Sequence, residues 1–143
     1  MDGASRGNPG HAGGGGVFRD YHGKWIGGFS CNLNWCSSMK AELLALLKGL
    51  RLAWEGRFSR LEVNMDSQVV VNLIQGPCMI NQAFHFVIKE CQDLLFNRPW
   101  EASFKHCYRE ANRVADYLAN LGVGQSPCVS FLTPLLRSWL SFN

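Results

Sequence analysis

Four acidic residues have the types and settings of metal ligands. Asp2 opens a glycine-rich stretch, Glu42 interrupts the apolar run of Ala41, Leu43 and Leu46, Asp66 ends a short alternating segment, and Asp116 stands between Ala115 and Tyr117. A carboxylate on the inward side of a helix is costly to bury unless it is paired or holds a metal. Acids at strand ends face the crevices in which α/β sheets build their sites. Four such oxygen donors suit hard divalent cations, Mg²⁺ or Mn²⁺. Taken singly, each has an ordinary alternative. Asp66 could cap the next helix, Glu42 could form a surface ion pair, and Asp116 could pair with Arg113 three residues before it.

Whether these acids meet depends on the elements that carry them. Asp2 to Gly16 holds seven of the fifteen glycines together with Asn8-Pro9, which reads as a tight loop. Val17-Phe18 and Lys24 to Cys31 read as two antiparallel strands, joined by a turn at Asp20 to Gly23. Ser37-Ser38 offers an N-cap, and Met39, Leu43, Leu46, Leu47, Leu50 and Trp54 recur at helical spacing up to Gly56. Leu61 to Met65 alternates as a strand ending at Asp66, and Ser67 can cap a short helix to Gly76. Asn81 can cap a helix carrying Phe84, Val87, Ile88, Cys91, Leu94 and Leu95. Trp100 to Tyr108 reads as a strand, and Ala111 to Leu121 as a helix with Val114, Leu118 and Leu121 on one side. This order predicts an α/β fold, a mixed sheet covered by helices. The tail from Gly122 is expected to pack on the surface only, which divides the chain into a domain over 1–121 and a tail over 122–143.

Composition narrows the remaining classes. The 143 residues suffice for one domain, and 47% hydrophobic with 17% charged residues describes a globular chain. No apolar run is long enough to span a membrane, and Met1-Asp2-Gly3 does not open a secretory signal. An intracellular location, nuclear or cytosolic rather than secreted, is therefore expected, with no membrane partner. Fourteen Lys and Arg against eleven Asp and Glu give a formal +3. That charge is compatible with a polyanion and does not require one. The six cysteines form no CxxC pair, so reduced thiols are expected. His11, His22 and His85 read as surface or packing residues, and the five tryptophans are too dispersed for a base-stacking platform.

Four segments, in order, carry a resemblance. They are Asp2-Gly3-Ala4-Ser5-Arg6-Gly7-Asn8-Pro9-Gly10, Lys40-Ala41-Glu42-Leu43-Leu44-Ala45-Leu46, Met65-Asp66-Ser67-Gln68, and Arg109 to Ala119 with Asn112 and Asp116 inside it. Together they resemble the signature segments of type 1 ribonuclease H domains. With His106-Cys107-Tyr108-Arg109-Glu110 ahead of Asn112, the chain is most similar to the plant reverse-transcriptase-like group associated with non-LTR retroelements (retrotransposons). The resemblance covers residues 2–121.

It implies a ribonuclease H-like mixed five-stranded sheet with helices on both faces and its first three strands antiparallel. Met1 alone precedes Asp2, so the first strand is expected to be truncated, with Asp2 on a fraying terminus and the α-amino charge beside the site. The implied activity is metal-dependent endonucleolytic hydrolysis of the RNA strand of RNA–DNA hybrids. Asp2, Glu42, Asp66 and Asp116 would hold two Mg²⁺ ions, with Mn²⁺ able to substitute. One ion would activate water and the other would stabilise the leaving 3′ oxygen. His106, ten residues before Asp116, would lie on the mobile side of the site and move protons during product release. Ser5, Asn8, Ser67, Gln68 and Asn72 would hydrogen-bond the hybrid, and Ser38 and Lys40 would lie near its phosphates. Sequence specificity should be weak, because such a groove is read through 2′-hydroxyls and phosphates. The segment from Gly76 to Asn81 has no basic insertion, so affinity should rest on few phosphate contacts and fall steeply with salt. A monomer is expected. The alternatives are a catalytically silent ribonuclease H-like module of retroelement origin that binds nucleic acid or protein, and a nuclease acting on other structured nucleic acid.

Overall fold

The structure is a computed structural model that describes residues 1–19, 25–58, 60–80, 83–123 and 129–132. The turn expected at Asp20 to Gly23, His22, the proposed cap Asn81, Cys128 and Trp139 lie outside the described residues.

The glycine-rich opening is a β-hairpin and not a loop. Strand β1 (Asp2–Gly7) pairs antiparallel with β2 (Gly10–Arg19), from Asp2 opposite Gly15 to Gly7 opposite Gly10. Gly7 makes the turn possible with φ +103, a backbone region that side chains disfavour. The other glycines are there for close approach. A Cβ on Gly14 would meet Ala45, whereas one on Gly15 would lie 2.4 Å from the Ala119 nitrogen. Because neighbouring residues of a strand point to opposite faces, these two contacts place Ala45 and Ala119 on opposite sides of the sheet. Composition alone could not separate a loop from a strand pressed between two backbones.

On one side lies α1 (Ser38–Glu55), whose inward stripe of Leu43, Leu46, Leu47 and Leu50 is buried as its spacing predicts. Ser37 caps it, its side chain accepting the Lys40 N–H at 3.1 Å. Ser37→Ala should lower stability by about 1 kcal/mol, read as a small drop in melting temperature. No change would show the cap to be replaced by water. Beyond β2 runs β3 (Trp25–Cys36), antiparallel to it. The chain continues through β4 (Arg60–Met65), α2 (Gln68–Gln75), α3 (His85–Phe96) and β5 (Glu101–His106). β4 and β5 are parallel. Ser67 caps α2 through the Val70 N–H, as expected. The main core joins Phe29, Leu43, Leu46, Leu50, Met65, Ile74 and Ile88. Trp54 and Trp100 pack edge to face at 5.2 Å, in keeping with a packing role.

A 3-10 turn (Arg109–Asn112) leads into α4 (Arg113–Gly122) on the opposite side. The buried face of α4 is Ala115, Leu118, Ala119 and Gly122, and the expected partners Val114 and Leu121 are 46% and 42% exposed. The helix is turned toward its small residues because only these fit against the glycines of β2. Within the segment assigned to the tail, β6 (Val129–Leu132) pairs antiparallel with β3.

The expected five-stranded sheet is found as two hydrogen-bonded sheets, β1-β2-β3-β6 and β4-β5. The Met1 amino group donates to the Asn64 oxygen at 3.1 Å, which sets β1 beside β4, but one bond does not make a ladder. The short β1 is well held all the same. Met1 is buried with its side chain against Gly49, and Asp2 is 5% exposed. The expected fraying is therefore not seen. The cysteines described, Cys31, Cys36, Cys78, Cys91 and Cys107, form no disulfide with one another. No helix among the described residues is long and apolar enough to cross a membrane.

Candidate active site

Three of the four acids converge. Asp2 is the first residue of β1, Glu42 lies one turn into α1, and Asp66 follows β4 directly. Their carboxylate oxygens lie within 4.8 Å of one another. Each is placed by its element. Gly3, which has no Cβ, lets α1 close on β1 until the Gly3 N–H donates to Glu42 Oε2 at 3.3 Å. A Cβ there would stand 2.3 Å from the Ala41 carbonyl carbon. The alternating pattern of β4 buries Val63 and Met65 and delivers Asp66 at the strand end. Asp116 stands slightly apart. It is on the exposed side of α4, near enough to Asp2 to raise that carboxyl, with Asn120 Nδ2 3.4 Å from its Oδ1. The structure thus brings together a set of three, with Asp116 flanking Asp2.

The electrostatics are those of crowded, partly dehydrated anions. Burial, followed by the charge of Glu42 and the hydrogen bond to Asp116, pushes the Asp2 carboxyl up to about 9. Burial likewise pushes Glu42 up to about 7. The Met1 amino group is itself driven below its ordinary value by burial, partly offset by Asp2, so it is a weaker positive charge beside the site than expected. Hard oxygen donors that repel one another in a dry setting fit a divalent cation, whose charge would let all of them ionise.

A pH dependence follows. The two carboxyls bind protons more tightly in the folded chain, so the stability they contribute is full at acid pH and is lost as pH rises through about 7 and then about 9. In chelator, the melting temperature should fall across that range, and Asp2→Asn should flatten the fall. A wild-type profile that rises toward pH 9 would contradict this assignment.

His106 ends β5. Its Nε2 lies 3.2 Å from the Asp66 carbonyl oxygen, and its ring meets Tyr108 edge to face at 5.7 Å. The expected substrate contacts fall into two groups. Ser5 Oγ donates to the Cys36 oxygen at 3.1 Å, and Asn8 Oδ1 accepts the Ser38 N–H at 3.1 Å, tying the hairpin turn to the start of α1 with Lys40 exposed nearby. Ser67 caps α2, where Gln68 Nε2 donates to Asn72 Oδ1 at 2.9 Å on the exposed surface. The first group lies near Glu42 along α1, and the second follows Asp66.

Two residues at the site were given no role from sequence, although both lie in the last of the segments that carry the resemblance. Arg109, 86% exposed, has its Nε 3.9 Å from Asp66 Oδ2. Asn112 is buried, and its Nδ2 donates to the Met1 carbonyl oxygen at 2.9 Å. Their place four and seven residues before Asp116 was the available clue.

Comparisons with known proteins give the family and the fold. The family model described as reverse transcriptase-like matches residues 1–122. A curated protein of Arabidopsis thaliana, provisionally named a ribonuclease H protein, is 45% identical over 119 residues, which are 83% of this chain and 19% of that protein. The chain thus spans about a fifth of that relative's length. Among solved structures, RNase H1 of the halophilic archaeon Halobacterium salinarum is 31% identical at a TM-score of 0.78, covering 85% of this chain and 92% of its own. LC11-RNase H1 in complex with an RNA/DNA hybrid is 30% identical at a TM-score of 0.75, with the same coverage of 85% and 92%. That protein was isolated from compost by a metagenomic approach.

Proposed function

Because the chain belongs to the reverse transcriptase-like family and its α/β fold is ribonuclease H-like, we propose that it is a divalent-metal-dependent endonuclease that hydrolyses the RNA strand of RNA–DNA hybrids. The observation that carries this reading is the meeting of Asp2, Glu42 and Asp66, from three separate elements, within 4.8 Å. The hybrid bound by LC11-RNase H1 supports the choice of substrate.

In this reading Asp2, Glu42 and Asp66 hold Mg²⁺, or Mn²⁺ in its place, and Asp116 adds a fourth carboxylate beside Asp2. The bound ions supply the positive charge that makes water nucleophilic and stabilises the leaving 3′ oxygen. The chain's own residues orient and exclude. Ser5, Asn8, Ser38 and Lys40 on one side, and Ser67, Gln68 and Asn72 on the other, offer small polar groups for 2′-hydroxyls and phosphates. His106, whose ring lies beside the Asp66 backbone, takes or returns the proton at its Nε2. The products are a 5′-phosphate and a 3′-hydroxyl.

The test is cleavage of an end-labelled RNA–DNA hybrid, beside single-stranded RNA and duplex DNA, with Mg²⁺ and with chelator. Metal-dependent cutting of the RNA in the hybrid alone is the expected result. Folded protein that binds the hybrid without cutting it would overturn the reading in favour of a silent binding module, and cutting of single strands would point to a different nuclease.

A further inference from the structure

Among the described residues three polar or charged residues are buried: Asp2, Ser30 and Asn112. Asp2 belongs to the acid cluster. The other two are hydrogen-bonded to main-chain carbonyls across the interface between α4 and the sheet. Ser30 Oγ donates to the Leu118 oxygen at 2.5 Å, and Asn112 Nδ2 donates to the Met1 oxygen at 2.9 Å. A buried amide is a poor choice for packing and is tolerated because its hydrogen bond is made.

The two bonds differ in what they hold. Ser30 anchors the middle of α4. The partner of Asn112 is the carbonyl of the peptide bond whose nitrogen belongs to Asp2, a residue 111 positions away from it being Met1 itself. Asn112 also opens α4, four residues before Asp116. Asn112 is the cap residue, and Asp116 lies in the first helical turn that follows it. One side chain therefore ties the backbone that carries Asp2 to the helix turn that carries Asp116.

We infer that Asn112 is a positioning residue for the metal centre, setting Asp2 and Asp116 at a fixed mutual distance through its bond to the Met1 carbonyl. The inference rests on the metal-dependent reading of the acid cluster. Groups that orient ligands in this way commonly change metal affinity by 10- to 100-fold when removed. Only a donor serves here, because the carbonyl oxygen accepts.

The experiment measures Mn²⁺ binding by calorimetry without substrate, with the melting temperature in chelator and the Mg²⁺ concentration for half-maximal hybrid cleavage as companion readings. Asn112→Ala should weaken Mn²⁺ binding on the order of tenfold and raise the Mg²⁺ requirement in step, at unchanged KM for the hybrid. Ser30→Ala, which removes the other buried bond of α4, should lower the melting temperature and leave Mn²⁺ affinity as it was. Equal Mn²⁺ affinity in Asn112→Ala and the wild type overturns the inference and leaves the metal reading intact. Equal loss in both variants overturns it too, because general loosening of α4 would then be the cause. A wild type that binds no Mn²⁺ defeats the metal reading, and this inference with it. Should the alanine variant fail to fold, Asn112→Leu, which keeps the volume and removes the donor, is measured in its place against the same outcomes.

Discussion

Asp66→Asn is expected to leave the protein folded and to lower Mg²⁺-dependent hybrid cleavage by roughly a thousandfold, about 4 kcal/mol of transition-state stabilisation. The Asp66 side chain is 7% exposed and lies within 4.8 Å of Asp2 and Glu42. An amide of the same shape removes one of three negative charges without opening a cavity. Its pairing with Arg109 is long, at 3.9 Å, and Arg109 is 86% exposed, so little stability is lost with it. Asp66 also helps to raise the Asp2 carboxyl, so the melting temperature in chelator should hold or rise slightly. Wild-type cleavage rates in the variant would remove Asp66 from the chemistry. A collapsed melting temperature would instead make it a structural residue.

A large loss of stability should come from Gly15→Ala. The new Cβ would lie 2.4 Å from the Ala119 nitrogen and 2.6 Å from both the Leu118 carbonyl carbon and its Cβ. Two of these three atoms are helix backbone, which cannot rotate away, so α4 must lift from β2. A cost of about 3 kcal/mol or more is expected, lowering the melting temperature by roughly 10 °C. The same lift would draw Asp116 from Asp2, so metal affinity should fall as well. Gly76→Ala is the comparison, since its Cβ meets only the Asn72 oxygen, at 3.1 Å. If the two variants melt alike, the close approach of α4 to β2 is not what holds this side of the sheet.

Much of this architecture could be read locally. The Leu43, Leu46, Leu47 and Leu50 spacing, the Ser37 and Ser67 caps, and the strand ending at Asp66 depend on neighbours a few residues away, so they show as periodicity and cap chemistry. The acids were visible for a different reason. Carboxylates interrupting apolar or strand-ending segments are expensive unless used, and their order matched that of a known family.

Elsewhere the local signal pointed the wrong way. The glycines of β1 and β2 read as a loop because their purpose is the backbone of α1 and α4, which no nearby residue reveals. The α4 face was misjudged for the same reason: its partners are the glycine run of β2 and the β3 backbone at Cys31, so Ala115, Ala119 and Gly122 go inward and Val114 stays out.

By itself, then, the sequence determined the identity and order of the acids, the family they resemble, and the helices and strands whose stability comes from near neighbours. The tertiary structure alone decided that Asp2, Glu42 and Asp66 meet while Asp116 flanks them, that a glycine run is a hairpin, and that Asn112 reaches Met1. Those features arise from contacts between segments far apart in the chain. Such contacts depend on the distance between backbones, and that distance leaves no period in the sequence.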